Sequence, residues 1–237
     1  MAHQQGRIMS QKSYVVATVK PWNIDVFHER HTGLPGSWHL MQSKEELSAD
    51  RIREIGPRYV FFPHWSWKVP PEIFEHVECV CFHMTDLPFG RGGSPLQNLI
   101  SRGFKETKMS AIRMEDGMDT GPIYMKRPLG LDGSAEEIFR RAGSLVWDMI
   151  TEMVKTEPEC HPQSGDGEVF TRRTPDESAL PASCSLSELY DHIRMLDAPT
   201  YPRAYLKFGE WRLEFSSAKH DKDGLTVQVK IMKDGTE

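Results

Sequence analysis

The stretch Cys79-Val80-Cys81-Phe82-His83-Met84-Thr85-Asp86-Leu87-Pro88-Phe89-Gly90-Arg91-Gly92-Gly93-Ser94-Pro95 decides the fold. Its first part is a short apolar run that delivers one His. Its second part breaks into a Gly/Pro loop. Further along, Met118-Asp119-Thr120-Gly121-Pro122 sets an isolated Asp in a turn of its own. A buried strand ending on an ionisable residue, with a loop that opens a pocket there, is how open α/β sheets place reactive groups. A His beside an Asp, shielded from water, is a proton-transfer device suited to neutral pH.

Working outward, Tyr14 to Val19 is a β-branched run that predicts a first strand, ended by Pro21-Trp22-Asn23. No Gly-x-Gly-x-x-Gly follows, so the usual dinucleotide or phosphate cradle is absent. Trp38 to Met41 predicts a second strand. Ser43 to Glu46 has a capping-box pattern and predicts a helix running to about Ile55, stopped by Gly56-Pro57. Tyr59 to Phe62 is a third strand, with a helix from about Pro71. Strands are also expected over Lys108 to Met114 and Ile123 to Leu129, and helices from Pro95 to Ser101 and from Ser134 to Lys155. Alternating strands and helices predict an α/β domain with a mostly parallel sheet over 13–156. Residues 1–12 are expected to be a flexible arm. Residues 157–184 are read as an extended, exposed crossing, and 185–237 as a small C-terminal α+β tail.

The 237 residues suit one good-sized domain with an appendage; net charge is −5, and 38% of residues are hydrophobic. An acidic balance argues against a nucleic-acid partner. Four Cys in a chain with no secretory segment predict reduced thiols and a cytoplasmic setting. No run approaches the ~20 apolar residues of a membrane span.

These motifs resemble the formyltransferase family that uses 10-formyltetrahydrofolate. That family has a strand ending in Asn-x-His, a Leu-Pro loop with Arg-Gly-x-x-Pro, and an Asp-x-Gly-Pro turn. The matches here are His83, Leu87-Pro88, Arg91 to Pro95, and Asp119 to Pro122. Trp65 to Pro70 matches the family's pterin slot. Ile193-Arg194-Met195 and Tyr201 to Ala204 extend the likeness, which covers roughly Ser13 to Ala218. The resemblance implies a Rossmann-like sheet of the formyltransferase fold and acyl transfer from 10-formyltetrahydrofolate as co-substrate, with no metal. It implies His83 as proton shuttle and Asp119 as the group that orients it or takes up a relayed proton. The family's Asn is Cys81 here, and a thiol is a poor donor. His64 is the expected replacement at the developing oxyanion. Trp65, Ser66, Trp67, Phe89, Gly90, Arg91, Gly92, Asp116 and Asp119 form the expected folate set.

For the acceptor, the short tail and acidic charge resemble the branch that N-formylates nucleotide-linked (UDP- or dTDP-) aminosugars for surface polysaccharide. The expected partners are therefore folate and a nucleotide sugar, with no nucleic acid, no membrane and a possible homodimer. Arg91, Arg172, Arg194 and Tyr201 are the expected acceptor contacts, with Arg173 and Arg203 as further diphosphate candidates. Trp211 is expected in the core, and Gln97 and Asn98 on the helix after Pro95, facing solvent or else the substrate, with solvent favoured. The alternatives are a methionyl-tRNA or purine-precursor formyltransferase, and a folate-binding or hydrolytic relative. Release of tetrahydrofolate without any acceptor would mark the last.

Overall fold

The computed structural model describes residues 12–235, so the expected N-terminal arm lies outside the described residues except for Lys12. The chain runs β1 (Ser13–Ala17), α1 (Pro21–Arg30), β2 (Ser37–Met41), α2 (Ala49–Ile55), β3 (Tyr59–Phe62), α3 (Pro71–Phe74) and β4 (Cys79–His83). It continues through β5 (Arg91–Gly92), α4 (Pro95–Ser101), β6 (Glu106–Arg113), β7 (Ile123–Gly130) and α5 (Ala135–Thr156). The last elements are β8 (Val169–Phe170), α6 (Leu186–Arg194), β9 (Ala204–Phe208), β10 (Trp211–His220) and β11 (Leu225–Lys233).

Six strands form the main sheet in the order β2-β1-β3-β4-β6-β7. The first four are mutually parallel; β6 runs antiparallel to β4, and β7 antiparallel to β6. This is the mostly parallel α/β sheet the sequence predicts. All four residues of β3 are buried, because helices cover both faces of the sheet. One face carries α1 and α5 over Tyr14, Val16, Phe61 and Val80. The other carries α2 and α3 over Val15, Val60, Phe62 and Cys79. The chain leaves β1 for β2 on one side and returns to β3 on the other. The carboxyl ends of β1 and β3 therefore flank a topological switch point, where open sheets of this kind leave a crevice.

Local signals explain most of the elements. Helix α5 opens on a Ser134–Glu137 capping box. Its Ile138, Ala142, Val146, Ile150 and Met153 recur at helical spacing and are buried. Strand β1 ends before Pro21, as expected, but Pro21 then opens α1, which the sequence does not announce; in that first turn its missing N–H costs nothing, and Trp22 and Phe27 bury against the core. One expectation fails. Ser43 to Glu46 is only a turn, although Ser43 Oγ accepts from Glu46 N at 3.3 Å. Helix α2 begins at Ala49 under a second cap, Ser48, because Leu47 is pulled into the core.

Beyond α5, residues 157–184 are largely exposed but not loose. Strand β8 pairs with β5, His161 bridges to Ile123, and Phe170 is buried. The tail is α6 plus an antiparallel sheet in the order β11-β10-β9. Trp211 is not a core residue. It is 44% exposed on the outer part of this small sheet, with Phe208 and Ile231.

Candidate active site

A cavity of about 600 Å³ lies at the carboxyl edge of β1, β3 and β4. A buried polar knot holds its floor. Thr18 Oγ1 donates to Pro63 O at 2.7 Å, and Asn23 Nδ2 donates to the same carbonyl at 3.1 Å. These bonds tie the loop after β1 to the loop after β3.

His83 ends β4 and is 6% exposed. Its Nδ1 lies 3.4 Å from Asp119 Oδ2, and its Nε2 donates to Gly90 O at 2.7 Å. A carbonyl oxygen only accepts, so Nε2 carries the hydrogen. In the neutral ring Nδ1 is then a lone pair facing a carboxylate. The pair is one proton short, and a proton arriving between them is shared by an imidazole and a carboxylate. The two expected residues thus meet, and both line the cavity.

The Asp119 turn is anchored on both sides. Gly92 N donates to Asp119 Oδ2 at 2.9 Å. Gln163, from the crossing, donates Nε2 to the carbonyls of Asp119 and Gly121 at 2.7 and 2.8 Å. Arg91 in turn holds Gln163 Oε1 through Nη2 at 2.6 Å. Gln163 went unnoticed in the sequence, where nothing marks it. Gly121 is required by space: a Cβ there would stand 1.8 Å from Arg113 O. Asp119, His64, Ser94 and Thr200 all have φ between 50° and 70°, a left-handed backbone concentrated around this cavity.

Trp65 and Trp67 line the wall on the α3 side, edge to face at 5.0 Å, with Ser66 and Asp116. The indole Nε1 of Trp65 is buried and has no partner among the described residues. A flat heteroaromatic ring with hydrogen-bond acceptors fits such a wall. Trp22, Phe139 and Tyr201 also line the cavity, stacked in series, as does Arg172. Cys81 lines the floor. Burial, then Asp119, pushes its thiol up to about 12, so it is a protonated, weak donor.

His64 also lines the cavity. Its Nε2 is 3.1 Å from Tyr201 Oη, and its ring meets Phe139 edge-on. Burial, then the Lys20 charge, pushes it down to about 3. This shift favours the neutral imidazole near pH 7. Burial likewise pushes Tyr201 up to about 12, keeping its hydroxyl a donor.

Several expected contacts lie elsewhere. Phe89 packs on Phe104 and Phe170, behind the site. Gly90 serves His83 through its carbonyl. Arg91 braces Gln163 and does not face the cavity. Arg194 is 3% exposed and spends its guanidinium on Asp191 and the carbonyls of Leu131 and Gly133, so it is no acceptor contact. Arg203 pairs with Asp197, and Arg173 reaches the Glu177 carbonyl. Gln97 is buried rather than exposed; it lines the cavity and donates to Met195 O, while Asn98 ties down the carbonyls of Gly93, Ser94 and Thr171.

A solved structure titled methionyl-tRNA formyltransferase, from Clostridium thermocellum, is 46% identical, with a TM-score of 0.89 over 94% of this chain and 99% of that one. The chain belongs to the formyltransferase family. A family model described as the C-terminal domain of methionyl-tRNA formyltransferase matches residues 175–232. The methionyl-tRNA formyltransferase of Wolinella succinogenes is 27% identical over 203 residues, 79% of this chain and 66% of that protein. The relative from Sinorhizobium medicae is covered over 55% of its length, so the chain spans between about half and two thirds of these relatives. A sugar N-formyltransferase from Shewanella shares the fold (TM-score 0.62, covering 95% of this chain and 98% of that one) at 14% identity.

These likenesses overturn the expected branch. The aminosugar acceptor, the polysaccharide role and the exclusion of nucleic acid all fall with it. The tail, short as it is, is the part that matches the C-terminal domain model. Net charge misled because it averages over the whole surface, whereas contact depends on where cations lie.

Among the described residues no helix is long and apolar enough to cross a membrane.

Proposed function

We propose that this chain transfers a formyl group from 10-formyltetrahydrofolate to the α-amino group of methionyl-tRNA in the cytoplasm. The observation that carries the acceptor is the 46% identity, over nearly the full length of both chains, to a structure titled methionyl-tRNA formyltransferase. The donor rests on the motifs around His83 and Asp119 and on the tryptophan wall with its unpartnered Nε1.

In this reading the pterin lies against Trp65 and Trp67, and the folate supplies an activated formyl carbon. The attacking amine must lose a proton as its bond to that carbon forms. His83 Nδ1 presents a lone pair for it, and Asp119 at 3.4 Å stabilises the imidazolium. The proton then moves toward the departing folate nitrogen. Negative charge gathers on the formyl oxygen meanwhile. With Tyr201 donating to Nε2, His64 carries its hydrogen on Nδ1 and is the neutral donor assigned to that charge. Cys81 contributes little there.

The test is incubation with 10-formyltetrahydrofolate and charged initiator tRNA, followed by quantification of N-formylmethionine after deacylation. Stoichiometric formylmethionine and tetrahydrofolate are expected. Tetrahydrofolate release at the same rate with and without tRNA, and no formylmethionine, would refute the transfer.

A further inference from the structure

Two cations that the transfer chemistry leaves unused stand near the cavity: Arg172 lines it, and Lys20 lies against two of its lining rings, Trp22 and Tyr201. Lys20 precedes α1. Its Nζ donates to Thr200 Oγ1 at 3.0 Å and stands 5.3 Å from the Tyr201 ring centre and 5.9 Å from that of Trp22. Arg172 comes from the crossing segment and lines the same cavity. Burial, then the Arg172 charge, lowers the proton affinity of Lys20. The same Arg172 charge reaches Tyr201.

Among the described residues no carboxylate pairs with either cation, although nearby Arg173 and Arg203 pair with Glu177 and Asp197. Two like charges that repel one another without a counter-charge cost free energy, and a bound anion relieves that cost. The arrangement is also built. Thr200 is β-branched yet has φ 70°, an uncommon backbone state that sets its hydroxyl against Lys20. Gly93 admits the backbone of Arg172 closely: a Cβ there would lie 2.5 Å from Arg172 Cβ.

We propose that Lys20 and Arg172 form a phosphate subsite on the acceptor side of the cavity. Its ligand is the phosphodiester that adjoins the terminal aminoacylated nucleoside. Lys20 lies against Trp22 and Tyr201, which line the same cavity as the tryptophans assigned to folate. A phosphodiester has one charge and two free oxygens, one for each cation. The inference rests on the RNA-borne acceptor proposed above.

Two minimal acceptors that differ only in the phosphate test it: 3′-O-methionyl adenosine and its 5′-phosphate. For the unaltered protein the phosphate raises kcat/KM at least tenfold at low salt. In Lys20→Ala/Arg172→Ala that ratio falls to within about twofold of one. In Lys207→Ala, which removes a cation on the distant small sheet, the ratio is retained. A second arm measures binding of adenosine 5′-phosphate against adenosine by tryptophan fluorescence, with the phosphate preference lost in the double variant. A double variant that keeps the preference, or an unaltered protein with none, overturns the subsite. If neither acceptor is formylated but the binding preference still vanishes in the double variant, the subsite stands and the acceptor assignment fails.

Discussion

Asp119→Asn is the most demanding perturbation of the proton-transfer pair. The change is isosteric. The amide oxygen still accepts from Gly92 N at 2.9 Å, and Gln163 still holds the Asp119 carbonyl. What disappears is the negative charge 3.4 Å from His83 Nδ1, in a pair whose side chains are only 7% and 15% exposed. Unit charges about 4 Å apart interact by about 4 kcal/mol at an effective dielectric constant near 20. That stabilisation is felt when the imidazolium forms, so it belongs to the transition state. At about 1.4 kcal/mol per decade it corresponds to a loss of about 10³-fold in rate. Folding changes far less: trading a charged hydrogen bond for a neutral one costs about 1 kcal/mol. Single-turnover formylation of methionyl-tRNA, with folate binding and thermal unfolding measured in parallel, separates the two effects. A rate loss below tenfold, with the variant folded and folate-competent, would refute the role given to the carboxylate.

Gly121→Ala inserts a Cβ where Arg113 O already lies 1.8 Å away, so the turn must move and carry Asp119 with it. A displacement of about 1 Å costs about 100-fold in rate, read as kcat on a variant that still melts cooperatively. His64, depressed to about 3 from an ordinary value near 6.5, binds fewer protons folded than unfolded between those limits. Its contribution leaves stability flat above about pH 6.5 and erodes it as pH falls from there toward 3. Between pH 6.5 and 5 the erosion is at most about 2 kcal/mol, since cavity water offsets part of the burial. His64→Gln should lose correspondingly less stability than the parent by urea titration, and equal losses would contradict a buried neutral imidazole. With its thiol pushed up to about 12, Cys81 should resist iodoacetamide at pH 8 while exposed Cys184 reacts. Mass spectrometry of peptides reads the order, and early modification of Cys81 would count against it.

The legible parts of this molecule were those written in short local patterns. The apolar run ending at His83, the loop to Pro95 and the Asp119 turn carry their geometry in adjacent residues, and they meet as expected. Other parts depend on direction in space, which a motif does not encode. Phe89, Gly90 and Arg91 belong to the right loop but support the site from behind. Arg194 reads as a free surface cation and is instead a buried brace on three backbone and side-chain partners. Gln163 acts only on backbone carbonyls across a long sequence gap, so no spacing reveals it. Helix α1 was missed because Pro21 signals a stop and a first turn equally well. The expected aminosugar acceptor fails because a whole-chain charge sum says nothing of how cations are distributed over the surface.

The crossing between α5 and α6 ties the two halves of the protein into one working unit. Through Gln163 and Arg172 it reaches back to the Asp119 turn and the cavity edge. A fragment ending at Thr156 would retain the strands of the main sheet yet hold its reactive carboxylate in an unbraced turn. Chimeras that exchange C-terminal domains between relatives should therefore be joined after Ser178, leaving this strap with the sheet it serves.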